Sequence, residues 1–115
     1  MKPNDIKSIL SVKEHEALEE IKRRVSMLFP VKSYILFGSR ASGHHLPDSD
    51  IDLLIVIDAP LLRKDKYRIS DEIFEVNLAY NTNFSMIAEE YKNWESELWA
   101  YLPLHKNIVK EGIPV

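Results

Sequence analysis

Residues 53–57 read Leu-Leu-Ile-Val-Ile, and this unbroken apolar run constrains the fold more than any other segment. A strand with one face in water alternates apolar and polar residues, so a run without alternation predicts a strand covered on both faces. Such a strand lies inside a sheet that carries helices. The apolar runs of the chain are far shorter than the roughly 20 residues that a membrane-spanning helix needs.

Helical and strand patterns alternate around this run. Ser11 and Glu14 have the spacing of a capping box and predict a helix over residues 12–29, before Pro30. Pro60 predicts the start of a second long helix, and Gly112 predicts the end of the last one. The predicted elements are strands at 31–37, 50–57 and 84–87, helical turns at 39–43, and helices from about 58–60 to 80, at 89–99 and at 103–110. Their order predicts an α+β fold, a small mixed β-sheet with helices packed on it.

Length and composition predict a single domain over residues 1–115. The chain has no cysteine, which excludes disulfide scaffolds, cysteine zinc sites and thiol nucleophiles. The N-terminus leads into an amphipathic stretch and not into the apolar run of a secretory signal. We therefore expect a cytoplasmic protein without a membrane anchor.

The acidic residues are concentrated in one part of the chain. The net charge is −3, and residues 38–59 carry one basic and four acidic residues, which also sum to −3. The charges of the rest of the chain therefore sum to zero. The sequence has no basic stripe of the kind that binds nucleic acid nonspecifically. A compact acidic cluster is suited to cations.

Asp50 and Asp52 open the second predicted strand. Successive strand side chains point to opposite faces, so these two share a face, with Cα atoms about 6.5 Å apart. Carboxylates so placed can converge on Mg²⁺ or on a close metal pair, as in phosphoryl-transfer sites. The alternative is an ordinary solvated strand start.

Gly38 and Ser39 follow the first predicted strand. Glycine allows a sharp turn, and the amide groups of a helical turn beginning at Ser39 would face an anion. Arg40 could add its charge against a phosphate. Taken alone, the pair is also compatible with a simple strand-to-helix turn.

Gly38-Ser39, ten residues and Asp50-Ile51-Asp52 together resemble the signature of the nucleotidyltransferase superfamily that includes DNA polymerase beta. The segment is most similar to the minimal nucleotidyltransferases. The resemblance covers most of the chain and implies a polymerase-beta-like fold.

The resemblance also implies an enzyme that moves a nucleoside monophosphate from ATP or another triphosphate to an acceptor hydroxyl. Gly38 and Ser39, with Arg40, would hold the triphosphate, and Asp50 and Asp52 would bind two Mg²⁺ ions. It further implies a HEPN-type helical partner protein, with this chain as the antitoxin of a toxin–antitoxin pair. Whether the chain forms a homodimer is left open.

The next strand departs from the family pattern. Active members usually carry a third carboxylate there, whereas here Asn83 and Ser85 are expected to share a face, with one of them at the position of the acid. His44 or His45 could accept the proton of the acceptor, although surface loop histidines are the simpler interpretation. The alternative function is a weakly active or inactive module that binds and masks a partner protein.

Overall fold

Four strands form one mixed sheet in the computed structural model, which describes residues 9–43 and 49–115. The spatial order is β3-β2-β1-β4. β1 pairs antiparallel with both β2 and β4, whereas β2 pairs parallel with β3. The α+β prediction is confirmed. The strands are β1 Val31–Phe37, β2 Ile51–Ile57, β3 Phe84–Glu90 and β4 Ile113–Pro114.

The longest helices, α1 and α3, pack against each other and cover one face of the sheet. The capping box that predicted α1 is present. Glu14 donates its amide to Oγ of Ser11 at 3.1 Å, and Ser11 donates its amide to the Glu14 carboxylate at 2.9 Å. No helix in the described ranges is long and apolar enough to cross a membrane. The helices are α1 Val12–Leu28, α2 Gly38–Ser42, α3 Arg63–Tyr80, α4 Tyr91–Trp94, α5 Glu97–Ala100 and α6 Pro103–Glu111.

β2 is covered on both faces, as its apolar run predicts. Alternate residues of the strand face α1 and α3, while Leu54 and Val56 contact Trp94 and Ile108 on the opposite face. A shift of one residue in the pairing would exchange these two sets and bring Asp52 into the α1–α3 core. Burial therefore fixes the register of the strand that carries Asp52.

Three parts of the sequence prediction differ from the structure by more than one residue. α3 begins at Arg63 and not near Pro60, because the Asp65 carboxylate accepts the amide of Leu62 and caps the helix there. β3 continues to Glu90, since its pairing with β2 extends to the end of that strand. The predicted helix over 89–99 is consequently replaced by α4 and α5.

The two-residue strand β4 is absent from the sequence prediction. It pairs with β1 through Ile113 and Leu36, and the Val115 amide donates to the Tyr34 carbonyl at 2.9 Å. Two residues are too few for a recognisable strand pattern, so the partner strand decides their conformation.

Candidate active site

The candidate site lies where one end of β1 meets the first residues of β2 and β3. β1 and β2 are antiparallel, so Phe37 at the end of β1 pairs with Asp52 near the start of β2. β2 and β3 are parallel, so their first residues lie side by side, with Ser85 next to Asp52. The chain thus brings three separate segments to one edge of the sheet.

Gly38 is packed directly against the Asp52 carboxylate. The residue has φ +76°, a left-handed conformation that glycine adopts readily, and it turns the chain from β1 into α2. A Cβ atom at this position would collide with Oδ2 of Asp52 and would lie 3.1 Å from its Cγ. The glycine therefore provides space for the carboxylate as well as the turn.

Each of the two aspartates accepts a hydrogen bond from a side chain at or just before the start of β3. Asn83 donates its side-chain amide to Oδ1 of Asp50, and Ser85 donates its hydroxyl to Oδ1 of Asp52 at 2.6 Å. Asn77 at the end of α3 pairs through its side chain with both backbone groups of Phe84, which fixes the start of β3. The expectation that residues 83 and 85 share the face of the aspartates is confirmed.

The site is open to solvent. Gly38, Ser39, Asp50 and Ser85 are exposed, and Asp52 is half-buried. Ser39 lies in the first turn of α2, where its carbonyl accepts a hydrogen bond from Ser42 at 3.0 Å. Ser39 and Asp50 are therefore accessible from solvent, and Asp52 is accessible in part.

Arg40 does not contribute its charge to this opening, and the expectation that its side chain faces a phosphate is wrong. The residue is 2% exposed. Its guanidinium is directed into the protein, where it pairs with the Glu14 carboxylate at 2.8 Å and donates to Ser49. A buried cation requires such a partner, and Glu14 lies close enough to provide it.

Glu14 is ionised in this pair. Burial acts to raise the pKa of the Glu14 carboxyl, but the hydrogen bonds and charge of Arg40 and the amide of Ser11 outweigh it, so the pKa lies below its usual value. The sequence indicated Glu14 as a helix cap, and nothing in its spacing indicated the second role.

The residues present suit Mg²⁺. The Asp50 and Asp52 carboxylates and the Ser85 hydroxyl are oxygen ligands of the kind that this ion prefers. The absence of a side chain at Gly38 is what allows the Asp52 carboxylate to take its position at the site. Among the described residues, no cluster of three or more His, Cys, Asp or Glu side chains has the geometry of a metal site. The described part of the site therefore offers two acids where the resemblance implies three. His44 and His45 lie outside the described residues.

A glycine turn packed against one of two neighbouring aspartates at one end of the strands is the arrangement that the resemblance to nucleotidyltransferases predicts. The family model described as "Nucleotidyltransferase domain" matches residues 18–115. The chain therefore belongs to the nucleotidyltransferase domain family, and the protein is a nucleotidyltransferase, as the sequence resemblance implied.

Individual relatives agree with this assignment. Over 102 residues, the chain is 29% identical to "Putative protein adenylyltransferase MJ0604" of Methanocaldococcus jannaschii, and the match covers 86% of this chain and 94% of the relative. The "putative nucleotidyltransferase" of Sulfolobus solfataricus has a similar fold, with a TM-score of 0.61 and 21% identity over 99% of this chain and 87% of that one. A toxin–antitoxin structure with AMP-PNP superimposes with a TM-score of 0.57 and 15% identity, covering 86% of this chain and 69% of that one.

Proposed function

We propose that the protein transfers a nucleoside monophosphate from ATP, or another nucleoside triphosphate, to a hydroxyl group on a partner protein. The proposal depends on the packing of Gly38 against the Asp52 carboxylate. This contact joins a turn suited to phosphate with a carboxylate suited to a metal ion, in an opening accessible to both.

Asp50 and Asp52 are the residues that would hold Mg²⁺. The family resemblance implies that they would hold two such ions. When bound, Mg²⁺ neutralises the charge of the triphosphate and of the pyrophosphate leaving group. Ser85 and Asn83 orient the two carboxylates through their hydrogen bonds. The register of β2, fixed by burial, keeps Asp52 in place, and rigid positioning of this kind is a large part of phosphoryl-transfer catalysis.

Gly38 and Ser39 are the residues that would hold the β- and γ-phosphates. The backbone amides at the start of α2 and the Ser39 hydroxyl are the available donors. In the reaction, the acceptor oxygen bonds to the α-phosphorus while the bond from that phosphorus to the bridging oxygen breaks. Pyrophosphate leaves, and the proton of the acceptor hydroxyl passes to solvent water, which reaches the exposed site.

The exposure of the site and the names of similar proteins both support a protein as the acceptor. The exposed position of Ser39 and Asp50 lets a second protein present its hydroxyl directly. The M. jannaschii relative is named a protein adenylyltransferase, and one structure of similar fold is a toxin–antitoxin complex. We propose a HEPN-type helical partner, with this chain acting as the antitoxin that modifies it.

The test uses α-labelled ATP, Mg²⁺ and the protein encoded by the adjacent gene. Asp50→Asn and Asp52→Asn should abolish label transfer to that protein. Asp58→Asn is the matched control, because it removes the same charge from an exposed position after the opposite end of β2. Equal labelling by all three variants and the wild type would contradict the proposed roles of the two aspartates.

A second candidate function is supported by Ser85. A hydroxyl occupies the β3 position beside Asp52, where the resemblance implies a carboxylate. A site with two acids could retain its fold and act by masking a partner. Complex formation that is unaffected by Asp50→Asn and Asp52→Asn, with no transfer by the wild type, would support this function over catalysis.

A further inference from the structure

We propose that Arg40 is a positioning residue, which holds the Gly38–Ser39 turn at a fixed distance from Asp50. This inference rests on the proposed function, because it concerns the alignment of the two halves of the same site. Arg40 is the second residue after Gly38, and its guanidinium lies between α1 and the residue that precedes Asp50.

One side of the guanidinium is bound to the segment that begins α1. Nη1 and Nη2 donate to the two carboxylate oxygens of Glu14 at 2.9 and 2.8 Å, and Nη1 also donates to the Ile9 carbonyl at 2.9 Å. The paired contact with Glu14 matches the fork geometry of arginine. Glu14 is held in turn by the capping box with Ser11. This side therefore attaches α2 to a rigid helix end.

The other side is bound to Ser49. Nε donates to the Ser49 hydroxyl and Nη2 to the Ser49 carbonyl, both at 3.0 Å. The carbonyl of Ser49 belongs to the peptide bond that leads into Asp50. A single buried side chain thus connects the backbone of the glycine turn with the backbone that carries the first aspartate, although ten residues separate the two along the chain.

The geometry cannot be reproduced by a lysine. All three guanidinium nitrogens donate in these contacts, whereas a lysine has one nitrogen on a flexible stem. Arg40→Lys would retain the charge beside Glu14 and lose part of the attachment to Ser49. The substitution leaves Gly38, Ser39 and Asp50 chemically unchanged, so its effect on the site is one of alignment.

Misalignment of the two halves of the site should lower kcat more than it raises KM for the nucleotide. Nucleotide can still bind to either half of a misaligned site, whereas the reaction requires both halves together. Misplacement of a reacting group by about 1 Å costs about 100-fold in rate. We therefore expect Arg40→Lys to lower kcat by about 10- to 100-fold while KM for the nucleotide remains close to the wild-type value.

The matched control is Arg24→Lys. Arg24 is also a multiply paired arginine, but it binds Glu20, Glu72 and Glu75 on the outer surface of α1 and α3. Transfer kinetics are measured with the partner protein at a temperature where both variants are folded by circular dichroism. Amide hydrogen exchange is measured on the same proteins without nucleotide. Arg40→Lys should accelerate exchange in segments 38–43 and 49–52, and Arg24→Lys should not.

A second pair of variants covers the case in which Arg40→Lys does not fold. Ser49→Ala removes the hydroxyl that accepts from Arg40 and should lower kcat by up to about 10-fold, the effect of one hydrogen bond. Ser26→Ala is its control, because it removes a hydroxyl bonded at 2.7 Å to Tyr34, on the opposite side of the sheet from Asp52. This control should leave kcat unchanged.

The outcomes separate this inference from the proposed function. Unchanged exchange in segments 38–43 and 49–52 of the Arg40 and Ser49 variants would overturn the inference, whatever the rates. Faster exchange with unchanged kcat, or with a change confined to KM, would also overturn it. Absence of transfer by the wild type would contradict the proposed function, and the exchange measurement would then decide the role of Arg40.

Discussion

Gly38→Ala is the change that most directly tests the site, because a single methyl group would enter the space occupied by Asp52. Two separate effects are expected. The backbone at Gly38 has φ +76°, which an alanine adopts only with strain. The new Cβ would also collide with Oδ2 of Asp52, and it would lie 3.1 Å from Cγ and 3.4 Å from Cβ of that residue.

Gly43→Ala separates the two effects. Gly43 has φ +81°, and a Cβ atom at this position would have no atom of the described residues within 4 Å, so against those residues its substitution introduces backbone strain alone. That strain costs about 1–2 kcal/mol in the free energy of unfolding. Gly38→Ala adds overpacking of about 1 kcal/mol, the low end of the usual range, because the half-buried Asp52 side chain can rotate away. We expect melting temperatures about 4 °C lower for each kcal/mol lost.

The activity of the two variants should differ far more than their stability. Rotation of Asp52 away from an alanine at position 38 moves the carboxylate that we propose as a metal ligand, and displacement by about 1 Å corresponds to about a 100-fold loss of rate. Gly43→Ala moves no group of the site. Transfer rates measured well below both melting temperatures should therefore be about 100-fold lower for Gly38→Ala than for Gly43→Ala.

Thermal unfolding and label transfer measure these effects, and the double variant Gly38→Ala with Asp52→Ala isolates the contact. Removal of the carboxylate relieves the collision, so the double variant should be more stable than the sum of the single changes predicts. Equal stability and equal transfer rates for Gly38→Ala and Gly43→Ala would refute the inferred packing of the turn against Asp52.

Three further predictions concern individual side chains. Ser85→Asp should strengthen Mn²⁺ binding in calorimetry, because it places a third carboxylate beside Asp52; unchanged affinity would exclude this position as a metal ligand. Ser39→Ala should weaken ATP binding by at most about 3 kcal/mol, and no change would remove Ser39 from the site. Since the folded-state pKa of Glu14 is below 4.5, its pairing with Arg40 contributes stability above pH 4.5 that is lost as the pH falls through the folded-state pKa. Glu14→Gln should therefore flatten the acid side of the unfolding free energy measured against pH, and an unchanged slope would contradict the ion pair.

Local patterns in the sequence were sufficient for much of the fold and for the place of the site. The capping box predicted the start of α1, and the run in β2 predicted a strand buried on both faces. The spacing of Gly38-Ser39 and Asp50-Ile51-Asp52 indicated the two halves of the site, and the family comparison agrees with the class of enzyme that the family resemblance implied. Each of these signals depends on residues close together in the chain, so the sequence itself contains them.

The tertiary structure alone decided which distant residues meet. The guanidinium of Arg40 is a group that commonly binds phosphate. It pairs with Glu14, 26 residues away, because the fold buries it beside the start of α1. β3 extends to Glu90 because β2 pairs with it that far, and the same pairing places Ser85 next to Asp52. Such contacts depend on strand register and helix packing, which the whole chain determines, so no local pattern could specify them.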